Sequence, residues 1–599
     1  MNSLWFHPSL ILILGALLLP LVPARLKRGY LLLVPVLLFA RIMTMSRGEF
    51  GVVHIVGSWA MIFGRVDALS SIFGYIMALM CILGTLYGLH VKDTGQHIAA
   101  WFYVAGSVGS IYAGDFLTLF LFWELMAFSS VFLIWFRGRR ESLGAGYRYL
   151  LVHVFGGLAL LAGMVWHCNT QSSWAFNQLD VHHPTVAIYL IMIGFILNAA
   201  VPPLHAWLPD AYGEATFNGS VFMCAFTTKT AVYALCRGFA GMEILVPLGV
   251  IMALYGVVYA VLENDCRRLL AYHIISQVGY MVAGVGLGTA MAINGACAHA
   301  FAHILYKGLL FMGCGAVLHM TGESKFTELG GLWKKMPWTF VFTLIGGLSI
   351  SAFPLFSGFV SKSMIVSAGF EEQKLWVGFL LLLASAGTFL HTGLKVPYFI
   401  WFGKNKPKQE TWDRAAEPPW NMNAAMLVAS ALCIFIGCYT PYLYKMLPHP
   451  EVAAAYHPYT AYHVFETLQI LLFTGLGFFL LLKKLVPDPT ISLDMDWFYR
   501  KGGRAFLWLA RKPIQMADTF VGELYRVAGL VPLMISARVA GLFDNKIIDG
   551  AVDGLAESVR GIGRRLRWVQ RGQMQQNLAI SFAVGAALIV AYVIFVSLR

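Results

Sequence analysis

The chain is poor in charge. Asp, Glu, Lys and Arg make up 12% of its 599 residues, against about 25% in an ordinary globular domain, so most of the chain cannot be coated with groups that water solvates. Length alone points to about four soluble domains. A hydrophobic content of 58% overrules that division, and the composition is that of a polytopic membrane protein. The nine cysteines form no CxxC pair and mostly lie inside apolar runs, which excludes a disulfide framework and argues against iron–sulfur or zinc ligation. No dinucleotide-binding glycine fingerprint is present, so no redox cofactor is expected. Acidic residues are outnumbered by basic ones, 30 to 43, for a net charge of +13. The excess is scattered over short loops and one late segment, so it reads as a topology signal and excludes a nucleic-acid surface. Aromatics at 14% and 59 glycines fit interfacial ring belts and closely packed membrane helices.

The N-terminal apolar run places its basic cluster, Arg25 to Arg28, after itself, which predicts a retained first helix in place of a cleaved signal. Further runs long enough to span lie near 29–46, 70–91, 97–114, 115–136, 145–166, 186–206, 217–240, 244–262, 268–288, 291–318, 338–368, 374–402, 421–442, 465–483 and 577–597, about sixteen spans in all. With the N-terminus outside, the basic loops (25–28, Lys92, 137–140, 267–268, 334–335, 404–408 and the stretch after 483–484) fall on the inner side at nearly every turn, as the positive-inside rule requires. The outer loop 167–183 has no Lys or Arg. Both termini are then expected outside.

Two apolar helices are interrupted. NAAVPPLHAWLPD at 198–210 and SAFPLFSGFVSKS at 351–363 each put proline and polar residues into a hydrophobic run. Paired breaks in corresponding halves predict two repeats, each with a broken helix on an ion pathway. Residues 485–576 differ again: charges of both signs alternate with Phe506, Leu509, Ile514, Phe520, Leu524 and Leu530. That pattern predicts a long amphipathic helix, about 100 Å over roughly 70 residues, lying on the membrane surface or on neighbouring subunits.

A charge at mid-bilayer costs about 2.5–3.5 kcal/mol on insertion scales. Glu124, Lys229, Lys307 and Lys362 nevertheless sit inside apolar runs, and as a set they predict a hydrated polar axis for protons or cations. His299, His303 and Lys307 recur at every fourth position and share one helix face. Imidazole titrates near neutrality and suits a proton relay. The two histidines also have a helix-borne zinc spacing, but the lysine one turn on repels a metal, and no carboxylate or cysteine is near in sequence. His205, Asp210 and Glu214 follow the first break, and Glu263, Asp265, Arg267, Arg268 and His273 surround a later loop. These, with Lys395, are candidates for a proton entrance or a loop network; loop charges that merely snorkel are the alternative.

The stretches LFWELM, PPLHAWLPDAY, RRLLAYHIISQVGYM, HAFAHILYKGLLFMGCGAVLH and FPLFSGFVSK resemble those of the antiporter-like membrane subunits of respiratory complex I, membrane-bound hydrogenases and Mrp-type sodium/proton antiporters. The resemblance covers about 100–405 and implies an all-α fold of two inverted five-helix repeats. Residues 485–597 look most like the distal complex I subunit, the chain L or chain 5 type of NADH-quinone oxidoreductase, with a long lateral helix and a final anchor. Carried over by motif, Glu124 is a modulating carboxylate, Lys307 the central relay fed by His299 and His303, and Lys362 the terminal proton site. A lysine normally precedes the PLH motif in this family, but Asn198 stands there. Lys229, on the next helix, is then the expected partner of Glu124, or the first half-channel is modified or silent.

The expected organisation is N-terminal helices at 1–96, a first repeat at 97–240, a second at 241–405, further helices at 406–484, a lateral segment at 485–576 and an anchor at 577–599. The expected function is proton translocation in a redox-driven complex of an energy-converting membrane, a bacterial inner membrane in particular. Other membrane subunits, contacted through the lateral helix, and lipid are its partners, and electrons flow elsewhere. The alternatives are a Mrp-type Na+/H+ antiporter subunit, the same role in a hydrogenase-type complex, and a non-pumping scaffold.

Overall fold

The computed structural model describes residues 5–56, 59–171, 173–405, 407–490, 493–569 and 572–599. Lys406 of the basic loop 404–408 lies outside the described residues. The chain divides into two compact units, one through Asp496 and one from Trp497 to Arg599.

A helix occupies each apolar run of the sequence. By length and composition, twelve helices of the described residues suffice to cross a membrane, Asp496–Trp568 among them. The difference from the expected sixteen has identifiable causes. Pro8–Leu21, Val186–Asn198 and Pro337–Ile350 are apolar but short, Ala24–Met43 carries Arg25, Lys27, Arg28 and Arg41, and Thr94–Tyr112 opens on Thr, Gly, Gln and His.

The structure adds a hairpin that the apolar runs did not foreshadow. Strands Gly48–Val56 and Trp59–Val66 pair antiparallel, from Gly48 opposite Val66 to Val56 opposite Trp59. The hairpin docks through Ile62, whose amide donates to Asp115 Oδ2 (2.7 Å) and whose carbonyl accepts from Gly114 (2.9 Å).

Several features recur along the first unit. Asp115 caps helix Phe116–Trp135 by accepting from the Thr118 amide (2.9 Å), and Asp265 caps Cys266–Leu287 by accepting from Arg267 and Arg268 (2.8 and 3.0 Å), the arrangement that satisfies orphan first-turn amides. Each cap residue bridges a later segment, Asp115 to Ala175 and Asp265 to Lys325. Each capped helix is followed by one of 32 residues, Arg140–Gln171 and Ala290–Thr321. Next comes a broken helix: Val186–Asn198 then Trp207–Glu214, and Pro337–Ile350 then Ser357–Glu371. Both breaks turn through an alanine in the left-handed region, Ala200 at φ 61° and Ala352 at φ 59°.

The end of the first capped helix and the start of the second lie close together. Arg137, just past the end of Phe116–Trp135, and Arg267, at the start of Cys266–Leu287, donate to the same Gly213 carbonyl at 2.5 and 3.1 Å.

The core is densest around Cys266–Leu287 and Ala290–Thr321, which are almost wholly buried. Small residues let the backbones close up. A Cβ on Gly249 would stand 2.3 Å from the Ala283 nitrogen, and one on Gly256 2.5 Å from both the Ser276 nitrogen and the Tyr272 carbonyl oxygen.

The second unit holds the helix Asp496–Trp568, about 110 Å long at 1.5 Å per residue, then Met574–Ser597. Its large apolar side chains, Phe506, Phe520 and Leu533 for example, are exposed throughout. Glu523 and Arg526 pair at 2.7 Å on the polar side of the helix.

Candidate functional site

Most of the buried cations share a structural solution. The last carbonyls of a helix have no partner within it and carry the negative end of its dipole. Lys362, 3% exposed, donates to the carbonyl of Ile350, the last residue of Pro337–Ile350 (3.1 Å), and more weakly to Ser385 Oγ (3.4 Å). Lys395 donates to the Val261 and Glu263 carbonyls (2.6 and 2.8 Å) at the end of Leu245–Leu262. Lys229 donates to the Cys224 carbonyl (2.7 Å), where Gly219–Met223 stops, and to Thr228 Oγ1 (3.0 Å). Arg267 spreads over the carbonyls of Tyr212, Gly213, Ala215 and Thr216 (2.8–3.3 Å) at the end of Trp207–Glu214.

Arg237 instead pairs with Asp67 at 2.8 Å, and Lys307 is a further exception. Its ammonium donates to His273 Nδ1 (3.1 Å), and His273 Nε2–H donates to Thr388 Oγ1 (3.1 Å), which also accepts from Gln277 (3.3 Å). His299 Nδ1–H donates to Ser361 Oγ (3.2 Å), one residue before Lys362. His303 lies between, its ring 6.2 Å from His299 and 5.4 Å from Tyr306, with neither nitrogen partnered by a protein atom. The three residues of one helix face thus lead toward two neighbouring helices, Lys307 toward His273 and His299 toward Lys362. A cavity of about 530 Å³ reaches Lys362, lined also by Ser363, Ser367, Tyr456, His463 and Glu466.

Glu124 does not pair with Lys229. Its side chain packs against Gly157, where a Cβ would stand 2.2 Å from Oε1, and Oε1 has no protein partner. Asn198 ends its helix, buried, with Nδ2 likewise unpartnered.

The loop charges divide into pairs. Arg148 grips Asp210 through two bonds (2.6 and 2.9 Å), Glu214 accepts from Ser142 (2.9 Å) and Arg137 (3.4 Å), and Arg268 donates to Glu263 (3.1 Å). Asp265 holds its helix cap and accepts from Ser324.

His205 is placed differently. Its Nε2–H donates to Asp494 Oδ1 (3.1 Å), from a residue far along the chain. Asp494 also accepts from the Tyr255 hydroxyl, from Tyr272 (2.6 Å) and from the Met495 amide (2.6 Å). Burial works to raise the Asp494 carboxyl, but His205 and the tyrosine hydroxyls outweigh it and hold the group below the usual carboxylate range. Asp494, Tyr255, Tyr272, Thr388 and His391 were not singled out in the sequence. Nothing in local spacing marks them, because their partners come from distant segments.

Residues 113–389 match the family described as NADH:quinone oxidoreductase/Mrp antiporter, TM. The Na(+)/H(+) antiporter subunit A1 of Staphylococcus aureus (strain MRSA252) is 27% identical over 526 residues, covering 78% of this chain and 65% of that protein. The chain therefore spans just under two thirds of the length of that curated relative. Among solved structures, a chain of the membrane-bound sulfane sulfur reductase, an archaeal respiratory membrane complex, superposes with a TM-score of 0.68 at 23% identity, over 98% of this chain and 99% of that one. A chain of respiratory complex I from Thermus thermophilus gives 0.62 at 23% identity, over 74% and 99%. These likenesses concern the fold. Residues 113–389 are thus similar to the transmembrane part of the NADH:quinone oxidoreductase/Mrp antiporter family, and the chain has the polytopic helical fold of these membrane-complex chains.

Proposed function

We propose that this chain translocates protons as a subunit of a redox-driven, complex I-like membrane complex, along an axis that includes Lys229, Lys307, His303, His299 and Lys362. One observation carries the reading: the buried charges of the axis are lysines held by helix-end carbonyls or by a histidine, with no carboxylate paired to them among the described residues. A lysine held this way can give up its proton and take it back, which a fixed ion pair resists. Sodium, a hard cation, needs oxygen ligands. The carbonyl oxygens of the axis at Cys224 and Ile350 are already taken by lysine ammoniums, and between them stand imidazoles. His303, Asn198 and Glu124 each bury a polar atom without a protein partner, and such atoms are normally completed by internal water.

Two inverted repeats, 97–240 and 241–405, with flanking helices at 1–96 and 406–484, fit the recurring caps, 32-residue helices and alanine-hinged breaks. The helix Asp496–Trp568, within the proposed lateral segment 485–576, has an apolar side suited to neighbouring subunits, and 577–599 is proposed as the anchor. The location follows: an energy-converting membrane, the inner membrane of a bacterium, with both termini outside. A second reading, a Mrp-type Na+/H+ antiporter subunit, is favoured by the similarity to the Na(+)/H(+) antiporter subunit A1 of Staphylococcus aureus. The subunits that co-purify with the chain decide between the two.

The proton axis is tested at Lys307. Lys307→Ala is expected to abolish coupled proton transport in an assembled complex. Lys307→Arg should fail as well, since guanidinium stays protonated at accessible pH. Full pumping by an assembled Lys307→Ala complex overturns the axis.

A further inference from the structure

His391 stands in the same polar cluster, and the axis described above does not use it. It lies in the helix Leu375–Phe402, where Phe389–Lys395 widens into π-helix. Such widenings are rare and concentrate at functional sites. The ring is fully buried and meets the His273 ring edge-on, 4.7 Å between centroids. His391 Nδ1–H donates to the Gly387 carbonyl, which fixes the ring's orientation and leaves Nε2 as the acceptor. That nitrogen is buried and has no protein partner. Lys395 follows one turn later, seated on the Val261 and Glu263 carbonyls, and Glu263 pairs with Arg268 at 3.1 Å.

We infer that His391 is a proton-carrying site, the link through which Lys307 and His273 exchange protons with Lys395 and the Glu263–Arg268 end of the structure. The inference rests on the proposed proton axis. His273 is in ring contact with it, and Lys307, Lys362 and Lys395 are the charged groups of the surrounding elements near enough to act on it. A proton taken up at Nε2 from the Lys395 side leaves a neutral amine there and an imidazolium at 391. Its release from Nε2 is to His273 Nδ1 once Lys307 has passed its own proton on and freed that nitrogen, which restores the neutral ring, so His391 ends as it began. A buried, unpartnered nitrogen such as Nε2 is normally completed by internal water, and such a water would carry the proton between the two rings.

A merely structural histidine is separated from a carrier by His391→Asn. The asparagine amide keeps a donor for the Gly387 carbonyl and removes Nε2. In the intact complex reconstituted into liposomes, His391→Asn is expected to slow proton translocation by about tenfold or more, at unchanged subunit composition, and to raise the solvent deuterium isotope effect. His391→Gln, which puts an amide near the Nε2 position but cannot be protonated there, should be equally slow.

Wild-type rates in either assembled variant overturn the inference. Failure of both variants to assemble also overturns it, because the side chain is then structural. Lys307→Ala measured alongside separates the two claims. Lost pumping there with normal pumping in His391→Asn removes His391 alone, whereas normal pumping in both removes the axis as well.

Discussion

At Asp494 one buried carboxylate accepts from an imidazole, two tyrosine hydroxyls and a backbone amide. Hydrogen bonds to an ionised group contribute about 1.5–3 kcal/mol each, so Asp494→Ala leaves His205 and Tyr272 with unpaired buried donors. It should destabilise the protein by roughly 3 kcal/mol, read as a lowered melting temperature in detergent and as faster proteolysis between 485 and 495. The pH dependence follows from the lowered carboxyl. The stabilisation is complete above the unfolded-chain value of about 4 and is lost only as pH falls through the lower folded value. Wild-type resistance to cleavage beside Asp494 should therefore persist at mildly acidic pH, and its loss near pH 6 would contradict this assignment.

Glu124 and Lys229, expected as partners, are held apart, one against Gly157 and the other on the Cys224 carbonyl. Sites that share no partner act independently. Glu124→Gln and Lys229→Met should each slow transport, with the double variant slower by the product of the two factors. A double variant no worse than the poorer single one would show that the two act as one unit.

Helices here are positioned by close backbone approach and broken by side chains. The seam between Leu245–Leu262 and Cys266–Leu287 depends on Gly249, Gly256 and Gly279, where an added Cβ meets backbone atoms at 2.3–2.6 Å. Backbone cannot yield as a side-chain tip can, and overpacking typically costs about 1–3 kcal/mol or more. Gly256→Val should lower the yield of assembled complex and also loosen Asp494, because Tyr255 and Tyr272 converge on it from these two helices. An unchanged melting temperature in Gly256→Val would show the seam to be slack.

The break before Lys229 has a different cause. The Tyr103 hydroxyl accepts from the Thr227 amide (2.9 Å), and Tyr212 donates to the Met223 carbonyl (2.7 Å). These side chains supply what a continuous helix would supply, and the Cys224 carbonyl is left for the Lys229 ammonium.

The whole molecule divides after Asp496, and the first unit contains the buried lysines together with their partners. Truncation after residue 484 is expected to leave the preceding helices folded while releasing the chain from its neighbours, apart from the Asp494 contacts that it also removes. The readout is co-purification. A truncated chain recovered with its neighbours in full amount would show that Asp496–Trp568 is not a brace.

Local pattern alone determined much of this protein. Low charge and long apolar runs located the membrane helices, prolines marked the broken helices at 198–210 and 351–363, and mixed charge with recurring apolar residues marked the long amphipathic helix. The isolated charges Glu124, Lys229, Lys307 and Lys362 were equally legible, because a charge inside an apolar run stands out without knowledge of its neighbours.

Only the tertiary structure decided the hairpin at Gly48–Val66, the break at Cys224, the π-helical widening at Phe389–Lys395 and the meeting of His205 with Asp494 and of His391 with His273. The docking of the hairpin, the break at Cys224 and the two histidine meetings depend on a hydrogen bond or ring contact between residues far apart in the chain. Periodicity and composition carry no record of such a partner, because its position is set by how whole helices pack.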